Sequence, residues 1–257
     1  MERREEVGIR AAAHLQRGPC PRTGMKIAHF LGLSLIDYPG KVAAVIWTAG
    51  CNLRCPFCYN PELVLPEYVK RLKLLDPHDV LGELGQRAGF IEGLAVTGGE
   101  PTLQGDLEGF LREVKALGLA VKLDTNGTHP EVLERLLSAE LLDYVALDVK
   151  APFARYHELV GLPREAARKV AGAVRRSLEL LAAGKIPFEI RTTAAPGLDA
   201  ADILQIKRQI PEGAKYVIQR FTVPRGKGLV GGDPRGGYLS AEEIKRLAAE
   251  LGCECRV

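Results

Sequence analysis

No apolar run in this 257-residue chain approaches the roughly 20 residues that a membrane-spanning helix needs; the longest, such as Val42 to Thr48 and Leu94 to Thr97, fall far short. An excess of one charge is lacking too. The 35 basic and 32 acidic residues leave a formal net charge of +3, and they are interleaved rather than blocked, so the chain carries no nucleic-acid footprint. Its first ten residues are charged in both signs and lack the apolar core of a secretory signal, which predicts a cytoplasmic, reducing location. Methionine is nearly missing, with Met1 and Met25 alone. The segment 1–24 shows no strand pattern and only a short helix candidate over 5–16; it reads as a disordered leader, or as sequence upstream of a start at Met25. The remainder, 25–257, reads as one domain, since 46% hydrophobic and 26% charged residues suffice for a single full core.

Six cysteines could form a disulfide framework, but a chain of this size has a core of its own, and Cys51, Cys55 and Cys58 fall within eight residues. Clustered thiols in a reducing compartment read as metal ligands. Cys20, Cys253 and Cys255, near the ends, read as free thiols.

From Met25 onward, β-branched apolar runs alternate with helical stretches, the pattern of βα units in a parallel sheet or barrel. Strands are predicted at 42–48, 92–97, 119–124, 143–148, 186–193 and 215–221. Helices are predicted at 77–89, 104–117, 130–138, 166–183, 200–209 and 240–251, the last opened by the capping signals Ser240 and Glu242–Glu243. The fold expected is an α/β incomplete (β/α)6 barrel of parallel strands. Its chemistry belongs at the C-terminal mouth, where the loops after the strands converge.

The unusual motifs fall in those loops. Cys51-Asn-Leu-Arg-Cys55-Pro-Phe-Cys58-Tyr59 follows the first strand, and three soft thiolates suit a soft metal centre. A structural zinc site takes four ligands, whereas a cubane iron–sulfur cluster held by three cysteines leaves one iron open. The competing reading is a zinc knuckle completed by distant His29 or Cys253. Thr97-Gly98-Gly99-Glu100-Pro101 ends the second strand, where glycines admit close backbone approach; a plain strand-to-helix turn capped by Thr102 would also explain it. Leu123-Asp124-Thr125-Asn126-Gly127 and Leu147-Asp148-Val149-Lys150 place carboxylates at the mouth. Turn capping by Asp124 and Asn126, and a surface Asp148–Lys150 salt bridge, are the plainer alternatives. Arg191 ends the fifth strand as a ligand-binding or a scaffold cation, and Gln219-Arg220-Phe221 closes the sixth.

The C-x-x-x-C-x-x-C loop after the first strand of a βα barrel resembles the signature of the radical S-adenosylmethionine superfamily, over about 26–225. The resemblance implies that Cys51, Cys55 and Cys58 hold a [4Fe–4S] cluster and that S-adenosylmethionine chelates its open iron. Reduction then cleaves the sulfonium to a 5′-deoxyadenosyl radical. It further implies that Tyr59 packs near the cofactor, that Gly98, Gly99 and Glu100 receive its amino group, and that Arg191 meets its carboxylate or hydroxyls. The D-T-N-G and L-D-x-K pair resembles the subgroup that activates glycyl radical enzymes. By that match Asp124, Thr125 and Asp148 would ligate a monovalent cation, while Asn126 and Lys150 would contact S-adenosylmethionine. Ser34 to Lys41, S-x-x-D-x-P-G-K, resembles the activating proteins of anaerobic ribonucleoside-triphosphate reductase. The implied partners are that glycyl radical enzyme, with pyruvate formate-lyase the competitor, and a flavodoxin- or ferredoxin-type electron donor. A radical enzyme acting on a small molecule or peptide, and a non-catalytic metal-binding module, are the remaining alternatives.

Overall fold

The computed structural model describes residues 24–226, 228–232 and 237–257. Apart from Gly24, the expected leader 1–24 lies outside the described residues, as does Cys20. One eight-stranded sheet runs in sequence order: β1 (Ile27–Ser34), β2 (Ala43–Thr48), β3 (Gly93–Gly98), β4 (Ala120–Thr125), β5 (Tyr144–Asp148), β6 (Phe188–Ala194), β7 (Lys215–Arg220) and β8 (Glu254–Arg256). Strands β2 to β8 are parallel neighbours and β1 pairs antiparallel with β2. The sheet curls as an open barrel. Its six long parallel strands are those predicted, each within two residues at either end.

Both edges differ from the prediction. β1 turns Leu31 and Leu33 outward, at 44% and 52% exposure, so its apolar residues do not report a buried face. β8 has only three residues, two of them charged, too short for a periodic signal.

Two one-turn helices, α1 (Pro61–Val64) and α2 (Pro66–Val69), follow the cysteine loop. The outer layer is then α3 (Pro77–Arg87), α4 (Leu107–Ala116), α5 (Pro130–Ser138), the single turn α6 (Tyr156–Leu159), α7 (Arg164–Ala183), α8 (Ala200–Gln209) and α9 (Ala241–Glu250). In α4 the buried residues Leu107, Phe110, Leu111 and Val114 recur at helical spacing and form one stripe against the sheet. Side-chain caps fix several starts. Asp76 accepts from His78 N, and Asp199 with Asp202, and Ser240 with Glu243, form reciprocal capping boxes, satisfying amides that have no partner within the helix.

The strand centres are apolar on both faces, as a parallel sheet covered by helices requires. Charged residues of the central strands break in on the lumen side, at Lys122 and Asp124 of β4, Asp148 of β5, and Glu189 and Arg191 of β6, spaced by two wherever a strand carries a pair. Among the described residues no helix is long and apolar enough to cross a membrane.

Leu111 is fully buried under α4, so Leu111→Ala should cost about 2–5 kcal/mol in denaturant unfolding, from lost transfer energy and a residual cavity. Phe90, 81% exposed, should change stability by less than about 0.5 kcal/mol when replaced by alanine.

Candidate functional site

The cysteine loop leaves β2 through Gly50, whose φ of +103° disfavours any residue with a Cβ. Backbone contacts from distant segments hold the loop: Arg54 N donates to Val160 O at 2.9 Å, Val230 N to Cys58 O at 2.9 Å and Gly231 N to Pro56 O at 2.9 Å. The Arg54 guanidinium donates to the carbonyls of Cys51 and Leu53 at 2.6 and 2.7 Å, closing the loop on itself. Leu53 and Phe57 are buried beneath it. Burial pushes the Cys51 thiol up to about 11 and the Cys55 thiol up to about 12. A soft metal centre would displace those protons.

The end of β3 presses on this loop. A Cβ on Gly98, at φ +123°, would lie 2.2 Å from Thr48 N, and one on Gly99 would lie 2.1 Å from Gly50 O. The two glycines therefore serve backbone-to-backbone packing of adjacent loops, a tighter constraint than approach to a ligand. Gly99 N donates to Thr48 O and Glu100 N to Gly50 O, both at 2.8 Å.

Glu100 lies on the cavity wall with its carboxylate turned to partners within the protein. Its carboxylate is fully buried and already engaged. Oε1 accepts from Thr102 N at 3.1 Å, Thr102 Oγ1 at 2.5 Å and Thr125 Oγ1 at 2.7 Å, and Oε2 accepts from Asn126 N at 2.7 Å. Burial raises its pKa, opposed by these hydrogen bonds. Its charge is thus spent on tying the β3 loop to the β4 loop. The capping of the turn after β3 at Thr102 belongs to Glu100 itself.

Asn126 turns toward the cysteines. Its Nδ2 donates to Asn52 Oδ1 at 3.0 Å, and its Oδ1 accepts from Thr128 N and Oγ1 at 3.0 and 2.7 Å. Asn52, Thr128 and His129 were not singled out in the sequence. His129 Nδ1 lies 3.1 Å from both the Thr102 and the Thr128 hydroxyls, joining the Glu100 and Asn126 networks.

The β4, β5 and β6 ends carry a chain of charges. Asp124 pairs with Lys122 and, at 3.3 Å, with Arg191 Nη1; Asp148 pairs with Arg191 Nε and Lys150 Nζ, each at 2.8 Å. The register sets Asp148 beside Arg191. Burial alone would raise the Asp148 pKa, but Arg191 and Lys150 outweigh it and hold the carboxyl well below its usual range. The Asp148–Lys150 pair is therefore partly buried, at 24% and 18% side-chain exposure, rather than the surface bridge of the plainer reading.

The three cysteines, Gly98–Glu100, Thr125, Asn126 and the charges from Lys122 to Arg191, with Tyr59 at 44% exposure on the rim and the Gln219–Phe221 segment, line one cavity of about 580 Å³. Every site residue expected from the sequence is among its walls. Neither His29 nor Cys253, the distant ligands of the zinc-knuckle reading, is among its walls. Three thiols on one loop, facing a cavity and without a fourth, fit a cluster with an open iron.

A family model, the radical SAM superfamily, matches residues 45–210. The chain belongs to that superfamily. It is an enzyme whose family cofactors are a [4Fe–4S] cluster and S-adenosylmethionine. It is 35% identical over 223 residues to a glycyl-radical enzyme activating enzyme, so named by inference, of Methanocaldococcus jannaschii, covering 86% of this chain and 85% of that one. It is 33% identical over 129 residues to the pyruvate formate-lyase-activating enzyme of Listeria monocytogenes, covering 46% and 50%. Streptococcus suis SuiB bound to S-adenosylmethionine shares the fold with a TM-score of 0.60 at 16% identity, over 82% of this chain and 49% of that one. Escherichia coli coproporphyrinogen III oxidase does so with 0.53 at 13%, over 84% and 52%. The chain spans about half the length of these solved relatives.

Gly99→Ala in this radical SAM enzyme should lower stability by about 1–3 kcal/mol, because the new methyl group meets a backbone carbonyl that cannot rotate away. An unchanged unfolding midpoint would mean that the two loops do not touch. A second expectation concerns acid. The unfolded Asp148 carboxyl binds more protons than the folded one between its two pKa values, so its stabilisation is complete above about pH 4 and is lost as pH falls below that. The stability advantage of wild type over Asp148→Asn should shrink in the same interval, as followed by thermal unfolding across a pH series.

Proposed function

We propose that this radical SAM enzyme is an activase, which places a glycyl radical on the backbone of a large partner, and that the partner is anaerobic ribonucleoside-triphosphate reductase. The observation that carries this reading is the junction, in one cavity, of the three-cysteine loop with Asp124-Thr125-Asn126-Gly127 and the Asp148–Lys150 pair. The extent of the match to the Methanocaldococcus protein supports it.

When bound, the cluster and S-adenosylmethionine supply reductive cleavage of the sulfonium and abstraction of a hydrogen atom. The chain's part is to bind and orient. Cys51, Cys55 and Cys58 would hold the three occupied irons, on a loop pinned by Arg54. The carbonyls of Gly98 and Gly99, whose side-chain space is filled by neighbouring backbone, would face the methionine amino group. Lys150 and Arg191 would meet its carboxylate, and Asn126, anchored through Asn52 and Thr128, would present an amide. Tyr59 at the rim would cover the adenosyl end. A flavodoxin- or ferredoxin-type protein would donate the electron.

The Ser34 to Lys41 turn favours the reductase as partner. Ser34 Oγ donates to Asp37 Oδ2 at 2.6 Å, Tyr38 packs beneath the sheet against Tyr144, and Ile36, Asp37 and Pro39 reach the cavity wall. The Listeria relative keeps pyruvate formate-lyase as the competing partner.

The test is anaerobic loading with iron and sulfide, reduction by dithionite, and chromatography for 5′-deoxyadenosine. Each candidate partner is then added and its glycyl radical sought by electron paramagnetic resonance. Wild type should form the nucleoside and a radical on the reductase; Cys55→Ala should lose cluster absorbance and both products. Nucleoside with no radical on either partner would move the substrate to a small molecule or peptide, and full activity of Cys55→Ala would remove the ligand assignment.

A further inference from the structure

The resemblance to activating enzymes called for a monovalent metal cation held by Asp124, Thr125 and Asp148, and the residues present do not fit one. Each of the four oxygens of Asp124 and Asp148 already faces a cationic nitrogen. Lys122 Nζ takes Asp124 Oδ1, Arg191 Nη1 takes Asp124 Oδ2, Arg191 Nε takes Asp148 Oδ1, and Lys150 Nζ takes Asp148 Oδ2. Thr125 Oγ1 donates to Glu100 and accepts from Gly127 N at 3.1 Å, so it has little left to offer a metal. Three cations against two carboxylates leave one positive charge over, and a metal ion would add to that surplus in a poorly solvated lumen where like charges repel strongly.

The residue responsible is Lys122. It lies two positions before Asp124 on β4, on the same lumen-facing side, next to Tyr144 in the register. Its side chain is 3% exposed, an unusual setting for lysine unless it is paired. The next carboxylate of the lumen, Glu189, is occupied by Arg256 at 2.8 and 3.0 Å and by the Tyr144 hydroxyl at 3.2 Å. Asp124 is left as the counterion of Lys122.

We infer that the Lys122 ammonium takes the place of the monovalent metal ion: a tethered cation that neutralises Asp124, positions it against Arg191, and frees cofactor binding from potassium or sodium. Lys122 is on this account a positioning residue, acting through Asp124 and Arg191. The inference rests on the radical SAM reading of the cavity and is independent of which partner is activated.

The test compares the full-length, cluster-loaded protein in potassium chloride, sodium chloride and, at equal ionic strength, tetramethylammonium chloride, whose cation is too bulky for the site. Binding of S-adenosylmethionine is followed by equilibrium dialysis, the thermal midpoint by calorimetry, and metal-ion binding by thallium(I) magnetic resonance, with thallium standing in for potassium. Wild type should show the same affinity and midpoint in all three salts and no bound thallium. Lys122→Met should bind thallium and show cofactor affinity roughly tenfold weaker in tetramethylammonium than in potassium, about 1.4 kcal/mol, while Lys122→Arg should stay salt-independent.

Thallium bound by wild type, or wild-type affinity that rises with potassium, would overturn the inference. Should Lys122→Met not fold, the charge-neutral pair Lys122→Met with Asp124→Asn replaces it and should bind no thallium. The thallium and calorimetric measurements need neither S-adenosylmethionine nor a partner, so a failure of the activase reading would leave this result standing.

Discussion

The site depends on the close approach of two backbones, that of Gly98–Glu100 after β3 and that of Thr48–Gly50 after β2. No Cβ fits between them, and two amides of the first segment bond to carbonyls of the second. This contact fixes the height of the cysteine loop above the sheet. Glu100 extends the constraint sideways, since its peptide N–H binds the β2 loop while its carboxylate binds the β4 loop through Thr125 and the Asn126 amide. Charge-assisted hydrogen bonds of this kind are stronger than neutral ones, and a buried carboxylate that lost them would be costly. Three loops at the mouth are thus tied together, which is what a loop offering three sulfurs to one cluster requires, because supporting contacts set how well ligands are preorganised.

Below that rigid rim the lumen is built on a different principle. Its charges are paired in a row across β4, β5 and β6, with Arg191 bridging both aspartates. Such a row is weak evidence for stability, since the desolvation of five ions offsets much of their mutual attraction. Its effect is electrostatic order. Every carboxylate oxygen is met by a nitrogen, the surplus is positive, and that surplus sits where the family's cofactor would bring a carboxylate. The covalent tether matters too: an ammonium on a strand is present at the site whatever the salt, whereas a mobile ion must be bound afresh and adds its own dissociation constant to the function.

The sequence made the scaffold legible because apolar β-branched runs and helical stripes recur at regular spacing, and all six long parallel strands lie where those runs predicted. The edges were not legible. β1 carries leucines on its exposed face and β8 is three residues long, so neither shows the periodicity that marks a strand. The walls of the cavity were readable because unusual motifs fall at successive strand ends, but their internal bonds were not. Glu100 read as a ligand-facing acid from its place in a loop motif, and only the three-dimensional placement of Thr102, Thr125 and Asn126 shows where its oxygens go. A surface pair stayed open as the plainer alternative for Asp148 and Lys150, since spacing carries no information about burial.

Lys122 is the sharper case. Inside an apolar strand it reads as an interruption, and as a helix-facing residue it would be an error. Only the sheet's alternation, which puts it on the same side as Asp124, turns it into a site residue. A lysine two positions before a lumen carboxylate on a parallel strand is therefore a signal that sequence alone carries, provided the pleat is followed residue by residue. The same alternation couples Glu189 to Arg191 on β6, and there the pair separates: Glu189 is drawn to Arg256 on the far edge strand and Arg191 to the two aspartates. The short β8 thus contributes to the site from a distance. By occupying Glu189, Arg256 leaves Lys122 with Asp124 as its counterion, and the charge order of the whole lumen follows from that division.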